Sequence, residues 1–177
     1  MTQYNANCNS YLKYDLTGKT KILKEAKNGG SQIIEIVEEF VKEYKNNNGE
    51  YSPSSVVEEE HKKYSFKCEK IILFQTSLQN KKTILHYLAK HSTWEIIEAV
   101  MNRYPEEINF LFYERDRKMN LPIHYAAENE KYSAKIINRI LKLYSDQKPA
   151  TGGNGRNFYH FAAKTANFLF WDPQASS

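Results

Sequence analysis

Apolar residues recur at helical spacing in three stretches of the chain, around residues 33–41, 94–101 and 136–143. Within each stretch they lie three or four positions apart, with polar residues between them. The apolar members are Ile33, Ile34, Ile36, Val37, Phe40 and Val41; Trp94, Ile96, Ile97, Val100 and Met101; and Ile136, Ile137, Ile140, Leu141 and Leu143. Since a lone pair of helices could not cover stripes this wide, the pattern predicts helices that stack on further helices.

A short phrase stands before each stripe and occurs once more near the carboxyl end. Each copy has an apolar residue two places after its first residue and an alanine six places after it. The copies read TKILKEA from Thr20, TILHYLA from Thr83, LPIHYAA from Leu121 and NFYHFAA from Asn157, and the alanines are Ala26, Ala89, Ala127 and Ala163. This recurrence predicts a repeat array with two helices per unit, in which each alanine lets neighbouring helices approach closely.

The phrases resemble the ankyrin repeat, whose signature is T-P-L-H-x-A with a period of about 33 residues. Residues that match it are Thr83, Leu85, His86 and Ala89; Pro122, Ile123, His124 and Ala127; His160 and Ala163 with Gly155 before them; and Thr20, Ile22 and Ala26 after Gly18. The resemblance implies an all-α solenoid of four to five helix–turn–helix units with short hairpin-like tips.

The intervals between the phrases depart from the family period. They are 38 residues from Thr83 to Leu121, 36 from Leu121 to Asn157 and 63 from Thr20 to Thr83. We expect the repeat domain to span residues 15–165, with units at 15–49, 50–80 (degenerate), 81–118, 119–154 and 155–165 (incomplete). Residues 1–14 would form a cap or be disordered, and residues 166–177 would form a cap or tail or mark the break in a longer chain.

Two segments carry more specific expectations. The degenerate unit should contain helices near Ser54 to Tyr64 and Phe66 to Gln79. The run from Ile108 to Tyr113 is rich in residues that favour strands and could form a short strand or finger.

No catalytic constellation stands out in the sequence. His86, His124 and His160 occupy equivalent positions, which lie roughly 10 Å apart in a stacked array, too far to share one metal ion. The resemblance implies that these histidines bond backbone groups near the turns. Cys8 and Cys68 have no cysteine or histidine partner at metal-ligand spacing. We therefore expect no enzymatic activity, no cofactor and no metal site.

The formal charge of +4 lies entirely in the second half. Residues up to Asn80 include 11 basic and 11 acidic side chains, whereas residues from Lys81 onward include 14 basic and 10 acidic ones. By resemblance, turn tips and first helices would bind a protein partner, which makes the chain an interaction scaffold. The expected contact residues are Lys90, His91, Tyr113, Arg115, Arg117, Lys118 and Lys131.

Two other functions remain open at this point. The chain could be the targeting part of a longer enzyme, such as an effector exported by an intracellular bacterium, and the length of the natural gene product would decide. It could also bind nucleic acid or anionic lipid, with an affinity that collapses as salt is raised. The basic residues for that function would be Lys81, Lys82, Lys90, Arg115, Arg117 and Lys118. No membrane span or secretory signal is evident, so we expect a cytoplasmic monomer, or one in the host cytosol if it is an effector.

Overall fold

A computed structural model describes residues 19–48, 68–147 and 150–164. These residues are helical apart from turns, 3-10 segments and one isolated bridge between Thr151 and Asn157. The helices are α1 (Lys21–Lys27), α2 (Ile33–Asn48), α3 (Cys68–Leu73), α4 (Ile84–His91), α5 (Trp94–Arg103), α6 (Pro105–Leu111), α7 (Pro122–Ala126), α8 (Ser133–Leu143) and α9 (Phe158–Lys164). The prediction of an all-α chain is confirmed for this part. The predicted terminal segments, 1–14 and 166–177, lie outside the described residues.

The recurring phrases form the short helices α1, α4, α7 and α9. In the first three, the residue before the helix is extended and acts as the N-cap, as Thr83 does with φ −82° and ψ 172°. Pro122 occupies the first turn of α7, where its missing N–H costs no intrahelical hydrogen bond. The phrases therefore begin helices for local reasons that are visible in the sequence.

These short helices pack side by side, α1 against α4, α4 against α7 and α7 against α9. The longer helices α2, α5 and α8 follow them and contact one another on the opposite side of the row. Fully buried aliphatic residues fill the space between the two sets, including Leu23, Leu88, Ile97 and Ile140. At about 25 cal/mol per Å² of buried apolar surface, this shared core is the main source of stability.

Three of the four repeated alanines are buried as expected: Ala26, Ala89 and Ala127. Ala163 differs, because it is exposed while the preceding Ala162 is buried. Tyr159 is also exposed by 45%, whereas Leu85, at the equivalent position of α4, is exposed by 1%. Helix α9 is the last described helix of the row, so its outward face lacks the cover that α7 supplies to α4.

The predicted degenerate unit, 50–80, lies partly outside the described residues. Helix α1 packs directly on α4, which leaves no room for a further first helix between them. The predicted helix at 66–79 is shorter, Cys68–Leu73, and packs against α2 and α6. The predicted helix at Ser54 to Tyr64 lies outside the described residues. The interval of 63 residues between the first two phrases thus separates two first helices that are neighbours in the row.

The expected strand or finger at Ile108 to Tyr113 is wrong. Residues Pro105–Leu111 form helix α6, with proline at its start and two acidic residues in its first turn. Both features favour a helix N-terminus. Ile108 and Leu111, three positions apart, are fully buried, so packing of one helical face outweighed the strand preference of the apolar run.

Hydrogen bonds tie the turns between first and second helices to one another. The Ser92 hydroxyl donates to the Gly29 carbonyl (2.6 Å), and the Asn129 amide donates to the carbonyls of Ser92 (2.9 Å) and Ala89 (3.1 Å). Gly30 permits the closest approach, since a Cβ there would lie 2.2 Å from Leu88 Cδ2, and its φ is +82°. Neighbouring helix pairs are thus held in register by polar contacts as well as by apolar packing.

Candidate partner-binding groove

Three loops precede α4, α7 and α9, and we call them tip 1 (77–82), tip 2 (115–120) and tip 3 (151–156). Backbone hydrogen bonds join them in sequence. The Arg117 N–H donates to the Asn80 carbonyl (2.8 Å), and the Gly153 N–H donates to the Lys118 carbonyl (2.8 Å). Tip 2 is therefore connected to both neighbours, and the three tips form one continuous edge.

The tips share a backbone conformation as well. Lys81, Met119 and Gly155 each lie two residues before the first residue of a phrase, and all three have positive φ, at 53°, 62° and 67°. Glycine adopts such angles readily, whereas other residues pay a conformational cost. The recurrence of this angle at one position of the phrase indicates that the tips have equivalent geometry.

The three phrase histidines hold the tips against the helices. Nδ1 of His86, His124 and His160 accepts a hydrogen bond from the backbone N–H three residues earlier, at 3.1, 3.1 and 3.3 Å. This is the structural role that the resemblance implied. Since Nδ1 of His86 accepts, Nε2 carries the proton and donates to the Asn120 carbonyl in tip 2 (3.0 Å). His86 thus links tip 1 to tip 2 as a neutral imidazole.

Burial keeps the imidazoles of His86 and His124 neutral. Desolvation lowers the pKa of His86 to about 4, although the hydrogen bond to Asn120 and the charge of Asp116 oppose the shift. Desolvation also lowers the pKa of His124, against the backbone carbonyls near it. Nε2 of His124 is buried and, among the described residues, makes no hydrogen bond of normal geometry. The carbonyls of Arg156 and Ala150 nevertheless lie close enough to oppose the lowering of its pKa. His124 therefore connects tip 2 to tip 3 less strongly than His86 connects tip 1 to tip 2.

Asp116 organises tip 2 from within. Its Oδ1 accepts the N–H groups of Lys118 (2.9 Å) and Asn120 (2.9 Å), and its Oδ2 accepts the hydroxyl of Tyr125 (2.6 Å). The carboxylate is 3% exposed, and burial, aided by this hydrogen bond, raises the pKa of the Tyr125 phenol. Since both oxygens are occupied internally, Asp116 shapes the tip and is not available to a ligand.

A groove of about 610 Å³ runs beside tips 2 and 3 and the first helices. Five cationic side chains and one carboxylate line it, together with apolar and backbone surface from Met119, Tyr125, Phe161 and Gly153. The cations are Lys82, Arg117, Lys118, Arg156 and Lys164, and the carboxylate is Glu128. The groove therefore has a strongly positive lining in a chain whose overall charge is modest.

Most of this positive charge is not neutralised within the protein. Glu128 is bonded to Lys90, which lies beside the groove (2.6 Å). Across the described part of the chain, the side chains of Arg117, Lys118, Arg156 and Lys164 make no hydrogen bond or ion pair. Lys82 is the exception, since its amine lies 4.0 Å from the centre of the Tyr125 ring, and burial lowers its pKa while Asp116 opposes the shift.

The predicted contact residues fall into three sets. Arg117 and Lys118 line the groove, and Lys90 lies next to it through Glu128. Arg115 has a structural role, because its guanidinium donates to the carbonyls of Met119 (2.6 Å) and Thr151 (2.8 Å) and so joins tips 2 and 3.

The remaining three residues are not in the groove lining. The Tyr113 hydroxyl donates to Asp146 (3.1 Å), and its ring packs edge-on against Tyr144. His91 ends α4, and Lys131 lies in the turn before α8; both are exposed. The prediction therefore named two lining residues and one neighbour among seven.

The sequence did not predict that Arg156, Lys164 and Phe161 line the binding surface. It indicated Lys82 only as a residue for binding nucleic acid or anionic lipid. A signal was present for two of them: Lys82 and Arg156 both come directly before the first residue of a phrase, and Asn120 is the equivalent residue of tip 2. Aligning the phrases by that residue would have placed these side chains on one edge. Lys164 carried a signal of another kind, because it directly follows Ala163 as Lys90 follows Ala89, but only the packing of α9 on α7 brings it near tip 2.

No protein-family model matches this chain, and no curated protein matches its sequence. Among the described residues, no cluster of three or more histidine, cysteine, aspartate or glutamate side chains is arranged to hold a metal ion. None of the described helices is long and apolar enough to cross a membrane. The geometry and charge of the groove are therefore the features of the described residues that bear on function.

Proposed function

We propose that this chain is a protein–protein interaction module built as an ankyrin-like solenoid, and that it binds its partner along the tips and first helices. The main support is that tips 1 to 3 form one continuous edge, and that unpaired cations of the described residues lie on this edge. A row of equivalent loops offers several contact points at fixed intervals, which suits recognition of an elongated partner surface. The proposal assigns no chemical step to the chain.

The edge is organised before a partner arrives. Backbone hydrogen bonds connect neighbouring tips, Asp116 fixes the shape of tip 2, and His86 and Arg115 connect it to tips 1 and 3. Binding to such a surface loses little conformational entropy, so a modest contact area can yield useful affinity.

Within this proposal, Arg117 and Lys118 are the central contacts. Lys90, His91 and Lys131 lie at the carboxyl ends of the first helices or just after them, where a longer partner would extend. Arg115 supports the contact surface from inside, and Tyr113 lies outside the groove lining. Arginine and tyrosine often carry interface energy, but only where they are exposed to the partner.

The test is site-specific cross-linking of the full chain. Lys118 and Lys142 are both exposed lysines, the first in tip 2 and the second on α8. Each is replaced in turn by the photoreactive residue p-benzoylphenylalanine, the proteins are irradiated in cell extract, and cross-linked proteins are identified by mass spectrometry.

We expect Lys118→p-benzoylphenylalanine to capture a discrete protein that Lys142→p-benzoylphenylalanine does not. That cross-link should disappear when Arg117→Glu is added. Identical products from both positions would contradict a binding surface at the tips, as would survival of the Lys118 product in the Arg117→Glu background.

A further inference from the structure

The groove cations are distributed along the row of helix pairs. Lys82 belongs to tip 1, Arg117 and Lys118 to tip 2, and Arg156 to tip 3, while Lys164 ends α9, the helix that follows tip 3. Equivalent positions in stacked helix pairs are separated by the usual distance between packed helices, about 10 Å. Lys82 and Arg156 occupy the same position of tips 1 and 3, and Arg117 and Lys118 lie on the tip between them, so the positive charge is spread over three successive helix pairs.

This spacing indicates a ligand. An extended polypeptide advances about 3.4 Å per residue, so about three residues cover one step of about 10 Å. We propose that the groove binds an extended acidic peptide segment, with a carboxylate at about every third residue facing the cations of successive tips. This inference rests on the proposed function and specifies the chemistry of the partner.

The groove is less suited to single-stranded nucleic acid. Recognition of unpaired bases depends on exposed aromatic faces on which the bases can stack. Here the face of Tyr125 is covered by the Lys82 amine at 4.0 Å, and its hydroxyl is held by Asp116. The Phe161 ring is packed against His124 with ring centres 5.2 Å apart. Both aromatic rings of the lining are thus already engaged within the protein.

A compact anion would also make poor use of the arrangement. An inorganic phosphate could reach the cations of only one step, whereas the unpaired cations extend over two tips and α9. A peptide carboxylate at each step would neutralise them in turn. Glu128 is the one carboxylate among the described residues of the lining, and it is already bonded to Lys90. An acidic peptide therefore meets little repulsion in the groove.

The experiment measures fluorescence anisotropy of fluorescein-labelled peptides with the full chain at roughly 0.15 M salt. The main probe is a peptide of about 12 residues that repeats Glu-Ser-Gly, which is long enough to extend past all three tips. A Gln-Ser-Gly peptide removes the charge, and a third peptide carries the same number of glutamates in one block. A single-stranded uridine RNA of equal length and inorganic phosphate as a competitor test the other ligand classes.

We expect saturable binding of the Glu-Ser-Gly peptide, at least about fivefold tighter than of the block peptide and of the RNA. Arg117→Gln and Arg156→Gln should each weaken this binding about fivefold, as for loss of one charged contact. The matched control is Arg139→Gln with Lys142→Gln, which removes two exposed cations of α8 and should leave the affinity unchanged. Unchanged thermal midpoints would show that the variants remain folded.

Several results would overturn the inference. Equal affinity for the regular and block peptides would mean that net charge alone matters. Tighter binding of the RNA, or displacement of the peptide by millimolar phosphate, would assign the groove to another ligand class. Equal weakening by the α8 control variant would also refute it. If the acidic peptide fails while the Lys118 cross-link persists, the interaction function stands and only this ligand class is wrong.

Discussion

The two sides of the helix row are held together by different kinds of interaction. On the tip side, the buried Asp116 fixes the shape of tip 2 through hydrogen bonds within it, and the buried His86 donates a hydrogen bond to tip 2 from the neighbouring unit. On the side of the longer helices, α2, α5 and α8 meet through aliphatic residues, and their charged residues pair at the surface, as Glu38 does with Arg103. Apolar burial is non-directional, whereas hydrogen bonds require particular geometry. We infer that the long-helix side chiefly supplies stability and the tip side chiefly fixes the shape of the groove.

The largest effect should come from the long-helix core. Ile140 of α8 is fully buried, and Ile140→Ala should lower the free energy of unfolding by about 2–5 kcal/mol through lost burial and the resulting cavity. Chemical denaturation would measure this. Leu143→Ala is the control, because Leu143 lies on the same helix but is 51% exposed, and its change should stay within about 0.5 kcal/mol. Similar losses for both variants would contradict the assigned core face of α8.

The polar side should show strong coupling between residues. Asp116→Ala removes the acceptor of three hydrogen bonds and should cost roughly 2–4 kcal/mol of unfolding free energy. Tyr125→Phe removes one of the same bonds. In a double-mutant cycle the two losses should fall short of additivity by about 0.5–3 kcal/mol, because the variants share a contact. Strict additivity would show that the carboxylate and the phenol do not interact.

Lowering the pH should reduce the free energy of unfolding through the histidines whose pKa values burial lowers. The pKa of His86 is about 4 in the folded chain and 6.5 in the unfolded chain, so between these values the unfolded state binds more protons. Stability from this group is full above pH 6.5 and falls as the pH drops toward 4, by at most about 3 kcal/mol. Burial lowers the pKa values of His124 and His91 in the same direction.

His86→Gln tests this assignment, because glutamine retains hydrogen-bonding groups but does not titrate. Unfolding free energies measured from pH 7 to pH 4.5 should decline less steeply in the variant than in the wild type. The surrounding charges act in both directions, since Asp116 raises the pKa of His86 while Lys82 and His124 lower it. A parallel decline in both proteins would exclude His86 as the group responsible.

The sequence predicted the helix pairs well where their signals were local. The segments that became α4 with α5 and α7 with α8 carry their own apolar stripes and small residues, and α4 and α5 each follow an N-cap threonine. These signals act within a few positions of one another. Helix α6 was missed because its apolar run also fits a strand, and Pro105 was not taken as a helix start. The direct packing of α1 on α4 was missed because only three-dimensional contacts reveal which segments are neighbours.

The groove was harder to predict than the helices for a related reason. Its lining comes from three tips, α7 and α9, so no single stretch of sequence contains it. Charged tip residues also serve two purposes, and sequence alone does not separate them: Arg117 is unpaired in the groove, whereas the nearby Arg115 is committed to the carbonyls of Met119 and Thr151. The three-dimensional direction of each side chain shows whether it can contact a partner or instead stabilises the tips by hydrogen bonds.

The smallest effect should come from the surface charges of the long helices. Glu38 and Arg103 join α2 to α5 at 3.0 Å, but their side chains are 52% and 56% exposed. Water and salt screen such a pair, so Glu38→Gln should cost about 0.2–1 kcal/mol of unfolding free energy, and roughly 1 M salt should abolish the difference. Asp116→Asn should lower the free energy of unfolding by a similar amount at high and low salt, because the hydrogen bonds of the buried Asp116 are shielded from solvent. Equal salt sensitivity at both positions would mean that the tip network is as open to water as the outer surface.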